Sequence, residues 1–171
     1  MKFKKSKGIL FWITGLSGSG KTSIGKLIFN RIKKKYGPTI ILSGDDIRKT
    51  WGFNKYSRNE RILLAKKVRK FLKFITNQEI NVIYCVVCLI NEIRIWNRKN
   101  IDNYVEIYIK SNIEKNIKIK RKKKSMFKKG PIVGLNIKPE FPKNPNIVIN
   151  NDYKKSLRQL ADELIVKLKK I

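Results

Sequence analysis

Gly15-Leu16-Ser17-Gly18-Ser19-Gly20-Lys21-Thr22 fits the pattern G-x-x-x-x-G-K-[ST], and no other stretch constrains the fold of this chain so tightly. The pattern works where a strand delivers the glycines and a helix starts at the lysine. Successive backbone N–H groups and the positive end of the helix dipole then converge on one phosphate group. The flanking residues supply both elements. Ile9-Leu10-Phe11-Trp12-Ile13 is an apolar run of strand length. Beyond the loop Ile24, Leu27, Ile28 and Ile32 recur at helical spacing until Gly37-Pro38 stops the helix.

Four further apolar runs, at 39–43, 82–88, 104–109 and 147–149, join the strand at 9–14 and alternate with helical segments. Leu64, Val68, Phe71, Leu72 and Ile75 form one helical stripe. Leu157, Leu160, Ala161, Leu164, Ile165 and Leu168 form another, which Asn151-Asp152 is expected to cap. The fold class read from this order is α/β: a P-loop NTPase-type parallel sheet of about five strands flanked by helices. One kinase domain is expected over 1–171. Residues 120–145, with the run Lys120-Arg121-Lys122-Lys123-Lys124 and four prolines, read as a mobile basic lid.

The chain contains no histidine, which excludes a histidine base, a Ser-His-Asp triad and a His-Cys zinc site, so proton transfer falls to a carboxylate. Cys85 and Cys88 lie in a strand-like run, where residues three apart point to opposite faces, and they read as buried thiols. Lys+Arg total 41 against 12 Asp+Glu, a formal charge of +29 that would attract polyanions. The lysines are scattered among isoleucines and asparagines throughout, which reads as solvated surface, so nucleic acid is not the expected partner. Two rival readings stand beside the kinase. One is a basic ATPase that contacts nucleic acid through 120–124, the other a nucleotide-binding module without catalysis. The apolar run at 9–13 is too short to span a bilayer, and a soluble cytoplasmic protein is expected.

Gly15, Leu16, Ser17, Gly18, Ser19, Gly20, Lys21, Thr22 and Ser23 are the expected ATP-binding residues, with Lys21 on the β- and γ-phosphates and Thr22 on Mg²⁺. The second strand ends Ile41-Leu42-Ser43-Gly44-Asp45-Asp46-Ile47-Arg48, which places carboxylates and an arginine where open α/β sheets bind ligands. Asp45 is the candidate to accept a proton from an attacking hydroxyl or to hold a water of the Mg²⁺. Arg48 is the candidate partner of an anionic group on the acceptor. Alternatively, Asp45 or Asp46 caps the following helix.

Phe11-Trp12-Ile13-Thr14 leading into the glycine loop, Gly44-Asp45-Asp46-Ile47-Arg48, Gly52-Phe53, Arg58, and the closing Lys143-Asn144-Pro145-Asn146-Ile147-Val148-Ile149-Asn150-Asn151 together resemble the adenylylsulfate kinase family. The resemblance spans nearly the whole chain. It implies an ATP- and Mg²⁺-dependent kinase acting on a small nucleotide, the ribose 3′-hydroxyl of adenylylsulfate, as a homodimer. It assigns catalysis to Asp45, the phosphosulfate end to Arg48 and Arg58, base stacking to Phe53 and lid closure to Lys124 within 124–129. The chain departs from the family pattern at Ser43, Arg61, Leu64 and Val87-Cys88-Leu89-Ile90. It also departs at Gly130-Pro131-Ile132-Val133-Gly134-Leu135-Asn136, where Ile132 makes one face of the base clamp aliphatic. These positions surround the acceptor, and relatives in surface-polysaccharide pathways that phosphorylate cytidine diphosphoramidate resemble this chain in lacking the second aromatic.

Overall fold

Five strands carry the architecture: β1 (Leu10–Gly15), β2 (Thr39–Ser43), β3 (Asn81–Val86), β4 (Tyr104–Ser111) and β5 (Ile147–Asn151). In the computed structural model, which describes residues 3–122 and 131–171, they form one sheet in the order β2-β3-β1-β4-β5, with every neighbouring pair parallel. Six helices accompany them: α1 (Lys21–Tyr36), α2 (Gly44–Thr50), α3 (Arg58–Asn77), α4 (Asn91–Asn100), α5 (Ile113–Lys122) and α6 (Leu157–Leu168).

The alternation of side chains along a strand builds two cores from one sequence. Phe11 and Ile13 of β1 point with Ile83, Ile107 and Ile149 toward α1 and α6, where Ile24, Ile28, Leu160 and Leu164 meet them. Leu10 and Trp12 point the other way, with Val82 and Tyr84, onto Leu64, Val68 and Leu72 of α3 and Ile93 of α4. Cys85 belongs to the first core and Cys88 to the second, both as free thiols, so the two cysteines lie on opposite sides of the sheet. Phe71, expected in the buried stripe of α3, sits at its margin and packs edge-on against Trp51 at 5.5 Å.

The five strands and the helices over α1, α3 and α6 agree with the sequence reading, while two local expectations are corrected. Asn151-Asp152 does not cap α6. The cap is Ser156, whose hydroxyl accepts from the Gln159 N–H at 3.2 Å while the Gln159 side chain accepts from the Ser156 N–H at 2.8 Å. The span 120–145 is not one irregular loop either. Helix α5 continues to Lys122. Residues 131–137 form a turn in which Gly134 N–H donates to the Ile137 carbonyl at 2.8 Å and Val133 is buried with Leu16, Leu89 and Tyr108. Lys124 and the segment 124–129 lie outside the described residues.

Candidate active site

Helix α1 starts with no side-chain cap and no acidic residue in its first turn, which leaves its N-terminal N–H groups for an external anion. The residue before it, Gly20, has φ 92, and a Cβ there would come within 2.8 Å of Leu157 Cδ2, so glycine is required at this corner. The Lys21 ammonium is buried against the loop itself, donating to the Leu16 carbonyl at 2.7 Å and to Ser19 Oγ at 3.4 Å. Asn151, at the end of β5, donates through Nδ2 to the Ser19 carbonyl at 3.0 Å. Tyr153 follows with φ 69, and its hydroxyl bonds Asn116 of α5 and lies 3.5 Å from the Gly18 carbonyl.

A cavity of about 810 Å³ opens over the carboxyl ends of β1, β2 and β3, the edge where such sheets bind ligands. Ser17, Gly18, Gly20, Lys21, Thr22 and Ser23 are part of its lining. Gly15 and Leu16 stand behind them, at the end of β1 and in the small core under the loop. Ser43, Gly44, Asp45 and Arg48 line it as well, with Tyr56 and Arg61. Among the described lining residues Asp45 is the one carboxylate.

Two adjacent aspartates divide their work by helical position. Ser43 caps α2: its hydroxyl accepts from Asp46 N–H at 3.1 Å, and the Asp46 carboxylate accepts from the Ser43 N–H at 3.0 Å and from its hydroxyl at 2.7 Å. Ser43 is therefore the N-cap and Asp46 its partner in the box, while Asp45, exposed like Asp46, lines the cavity wall. Ser43, a departure from the family pattern, completes this capping box.

Arg48 and Arg61 both approach the Tyr56 ring, with guanidinium carbons 4.6 and 5.5 Å from its centroid. Arg48 donates to the Lys55 carbonyl at 2.8 Å. Arg61 donates to the Tyr56 carbonyl at 2.9 Å and to the Pro131 carbonyl at 3.0 Å. Burial, then the nearby Arg48 charge, lowers the pKa of Arg61. Ile132 joins the wall beside Pro131 and Val133.

Arg58 and Phe53 are not brought to this cavity. The Arg58 guanidinium pairs with the Glu140 carboxylate, which also accepts from the Asn91 N–H at 2.6 Å at the start of α4. Phe53 packs against the core beneath α3, with Lys67 Nζ 5.5 Å from its ring centre. Nothing in the sequence singled out Tyr56 or Tyr153, Asn151 read only as a helix cap, and Arg61 only as a departure from the family pattern. The order of residues gave no sign that Arg61, rather than Arg58, would face the cavity.

Residues 7–150 match the adenylylsulphate kinase family model. This chain belongs to the adenylylsulphate kinase family. As a family member it is an ATP-dependent phosphotransferase, in agreement with its similarity to two kinases. It is 36% identical over 170 residues to the cytidine diphosphoramidate kinase of Campylobacter jejuni, covering 96% of this chain and 98% of that one. It is 28% identical over 153 residues to a probable adenylyl-sulfate kinase of Archaeoglobus fulgidus, covering 84% of this chain and 96% of that one. The Mycobacterium tuberculosis APS kinase CysC, solved in complex with AMPPNP and APS, shares the fold with a TM-score of 0.77 at 20% identity. That match covers 95% of this chain and 98% of the other. The family's P-loop fold thus accounts for the sheet order and for the cavity at its carboxyl edge.

Proposed function

We propose that this adenylylsulphate kinase family member transfers the γ-phosphoryl group of ATP to a hydroxyl of a small nucleotide with a diphosphate-like tail, cytidine diphosphoramidate being the favoured acceptor. The observation that carries the reading is one cavity lined both by Lys21 at the uncapped start of α1 and by Asp45 and Arg48. The 36% identity to a cytidine diphosphoramidate kinase over nearly all of both chains supports the choice of acceptor, as does the aliphatic Ile132 where a second aromatic would suit a purine.

In this mechanism the loop N–H groups from Gly15 to Ser23 hold the ATP phosphates and Lys21 pairs with the β- and γ-phosphoryl oxygens. Asp45 accepts the proton of the attacking hydroxyl, and Arg48 holds the anionic tail so that the hydroxyl lies in line. Mg²⁺, which Thr22 and Asp45 would help to hold, would offset the negative charge of the ATP phosphates. The donors here suit such a hard cation. Thr22 brings a hydroxyl and Asp45 a carboxylate to the cavity lining, and both are oxygen donors of the kind that cation takes. A homodimer, as the family resemblance implies, and a cytoplasmic location, as expected from the short apolar runs of the sequence, complete the proposal; no described helix is long and apolar enough to cross a membrane.

Adenylylsulfate is the second reading, favoured by the family match over 7–150. Coupled ADP release with Mg·ATP, run with cytidine diphosphoramidate, with adenylylsulfate and with no acceptor, separates them. Turnover that requires the cytidine compound supports the proposal. Turnover that requires adenylylsulfate replaces it with the second reading, and the absence of turnover with either defeats both.

A further inference from the structure

We infer that Arg61 is a specificity-determining residue of the acceptor site: with Arg48 it forms a two-guanidinium seat around Tyr56 for the doubly charged tail of a nucleoside diphosphate-type acceptor. The inference rests on the proposed phosphoryl-transfer reading and adds the residue that reads the acceptor's charge.

Three observations converge. Both guanidiniums line the same cavity and flank the same ring. Each is fixed by backbone carbonyls: Arg48 by Lys55, and Arg61 by Tyr56 and Pro131. These bonds engage part of each five-donor fork and leave N–H groups on both for a ligand. Finally, neither guanidinium has a carboxylate partner within ion-pair distance among the described residues, although other arginines of the chain do. Arg58 has Glu140, and Arg94 and Arg98 share Glu106.

Two adjacent cations, one buried and one partly buried, are electrostatically costly, and Asp45, the one carboxylate among the described lining residues, offsets only part of that cost. The cost is offset when a ligand brings two negative charges into the cavity that both guanidiniums line. Guanidinium matches phosphoryl oxygens through paired parallel hydrogen bonds. The Tyr56 ring fixes where the two charges sit, with the guanidinium carbons 4.6 and 5.5 Å from its centroid. The position also explains why Arg58, three residues earlier on α3, is not needed at the wall: Glu140 holds it elsewhere, and Arg61 occupies the cavity side of the same helix.

The test uses the full chain with a non-hydrolysable ATP analogue saturating the P-loop, and measures binding of CDP and CMP calorimetrically to wild type, Arg61→Gln and Arg61→Lys. The charge-assisted bonds at stake correspond to a loss of about 10- to 100-fold. Arg61→Gln is expected to weaken CDP by that factor while CMP changes less than about threefold, with Arg61→Lys recovering part of the CDP affinity. Binding of the ATP analogue itself is expected to stay unchanged. Equal weakening of CDP and CMP, or no weakening of either, overturns the inference. This binding readout does not depend on turnover. If wild type phosphorylates no acceptor, the functional proposal fails while the seat is still judged by the CDP-to-CMP ratio.

Discussion

The side-chain amide of Asn151, the last residue of β5, donates to the carbonyl of Ser19 at 3.0 Å, and both residues are buried. The crest of the phosphate loop is thereby tied to a strand two positions away in the sheet. Asn151→Ala leaves that carbonyl without its partner, a cost of about 1–3 kcal/mol that falls on the loop geometry. The KM for ATP is expected to rise about tenfold or more, while the acceptor KM at saturating ATP stays within about twofold. Steady-state kinetics with each substrate varied in turn checks this.

Asp45 and Asp46 are expected to respond to substitution in opposite ways. Asp46→Ala breaks the capping box with Ser43 and should cost about 1 kcal/mol of stability with kcat nearly unchanged. Asp45→Asn should leave the melting curve in place and lower kcat by about 10²- to 10⁴-fold, the range for loss of a positioned base. Urea melts and initial rates on the two variants distinguish the cap from the proposed base.

Lys21→Ala is expected to reduce kcat by at least about 10²-fold, as the loss of a preorganised charge on the transferring group requires. Binding of a non-hydrolysable ATP analogue should weaken as well. A variant with full turnover would remove Lys21 from the mechanism.

Gly25 faces β3 at very short range, and a Cβ there would come 2.5 Å from Cys85 Sγ. Gly25→Ala should destabilise the protein by about 1–3 kcal/mol through overpacking, despite the better helix propensity of alanine. In a Cys85→Ala background the sulfur is gone, and the same substitution should cost little or stabilise slightly. A double-mutant cycle on urea midpoints measures the coupling.

Burial pushes the thiols of Cys85 and Cys88 up to about 12 from an ordinary value of 9.0. Between these values the unfolded chain has released both protons and the folded chain has kept them. Stability therefore falls as pH rises from 9.0 toward 12, by about 1.4 kcal/mol per pH unit for each thiol once the unfolded form is ionised. Ellman's reagent at pH 8 should label neither cysteine rapidly in the native protein and both in urea. Replacing both cysteines with serine or alanine should flatten the alkaline limb of the stability profile.

The parts of the fold that were legible announced themselves locally. Strand β1 is apolar, Gly20 and Lys21 mark a strand-to-helix corner, and Gly37 stops α1. Helix α4 gave no such signal because its inward face carries Arg94 and Asn97 beside Ile93. Arg94 is accommodated by Glu106 at 3.0 Å in the middle of β4, a pairing that apolar periodicity cannot display. The misread cap of α6 has a similar origin. Asn151 looks like a capping residue and is used by the loop, while Ser156 and Gln159 had the spacing of a capping box in plain sight. In the acceptor half, Arg58 and Arg61 are one helical turn apart. Which of them faces the cavity is decided by Glu140, a residue far along the chain.

Strand β2 ends at Ser43 and helix α2 begins at Gly44, with no connecting residue between them. Such a junction has no torsional slack, so the wall that carries Asp45 inherits the stiffness of the sheet, where Ser43 is laddered to Cys85. The opposite wall is an ordinary helical surface, on which a different residue can be turned inward by a single substitution one turn along. In the proposed mechanism the reacting geometry rests on the stiff wall and the acceptor contacts on the helical one, so a side chain on α3 can be changed without moving Asp45.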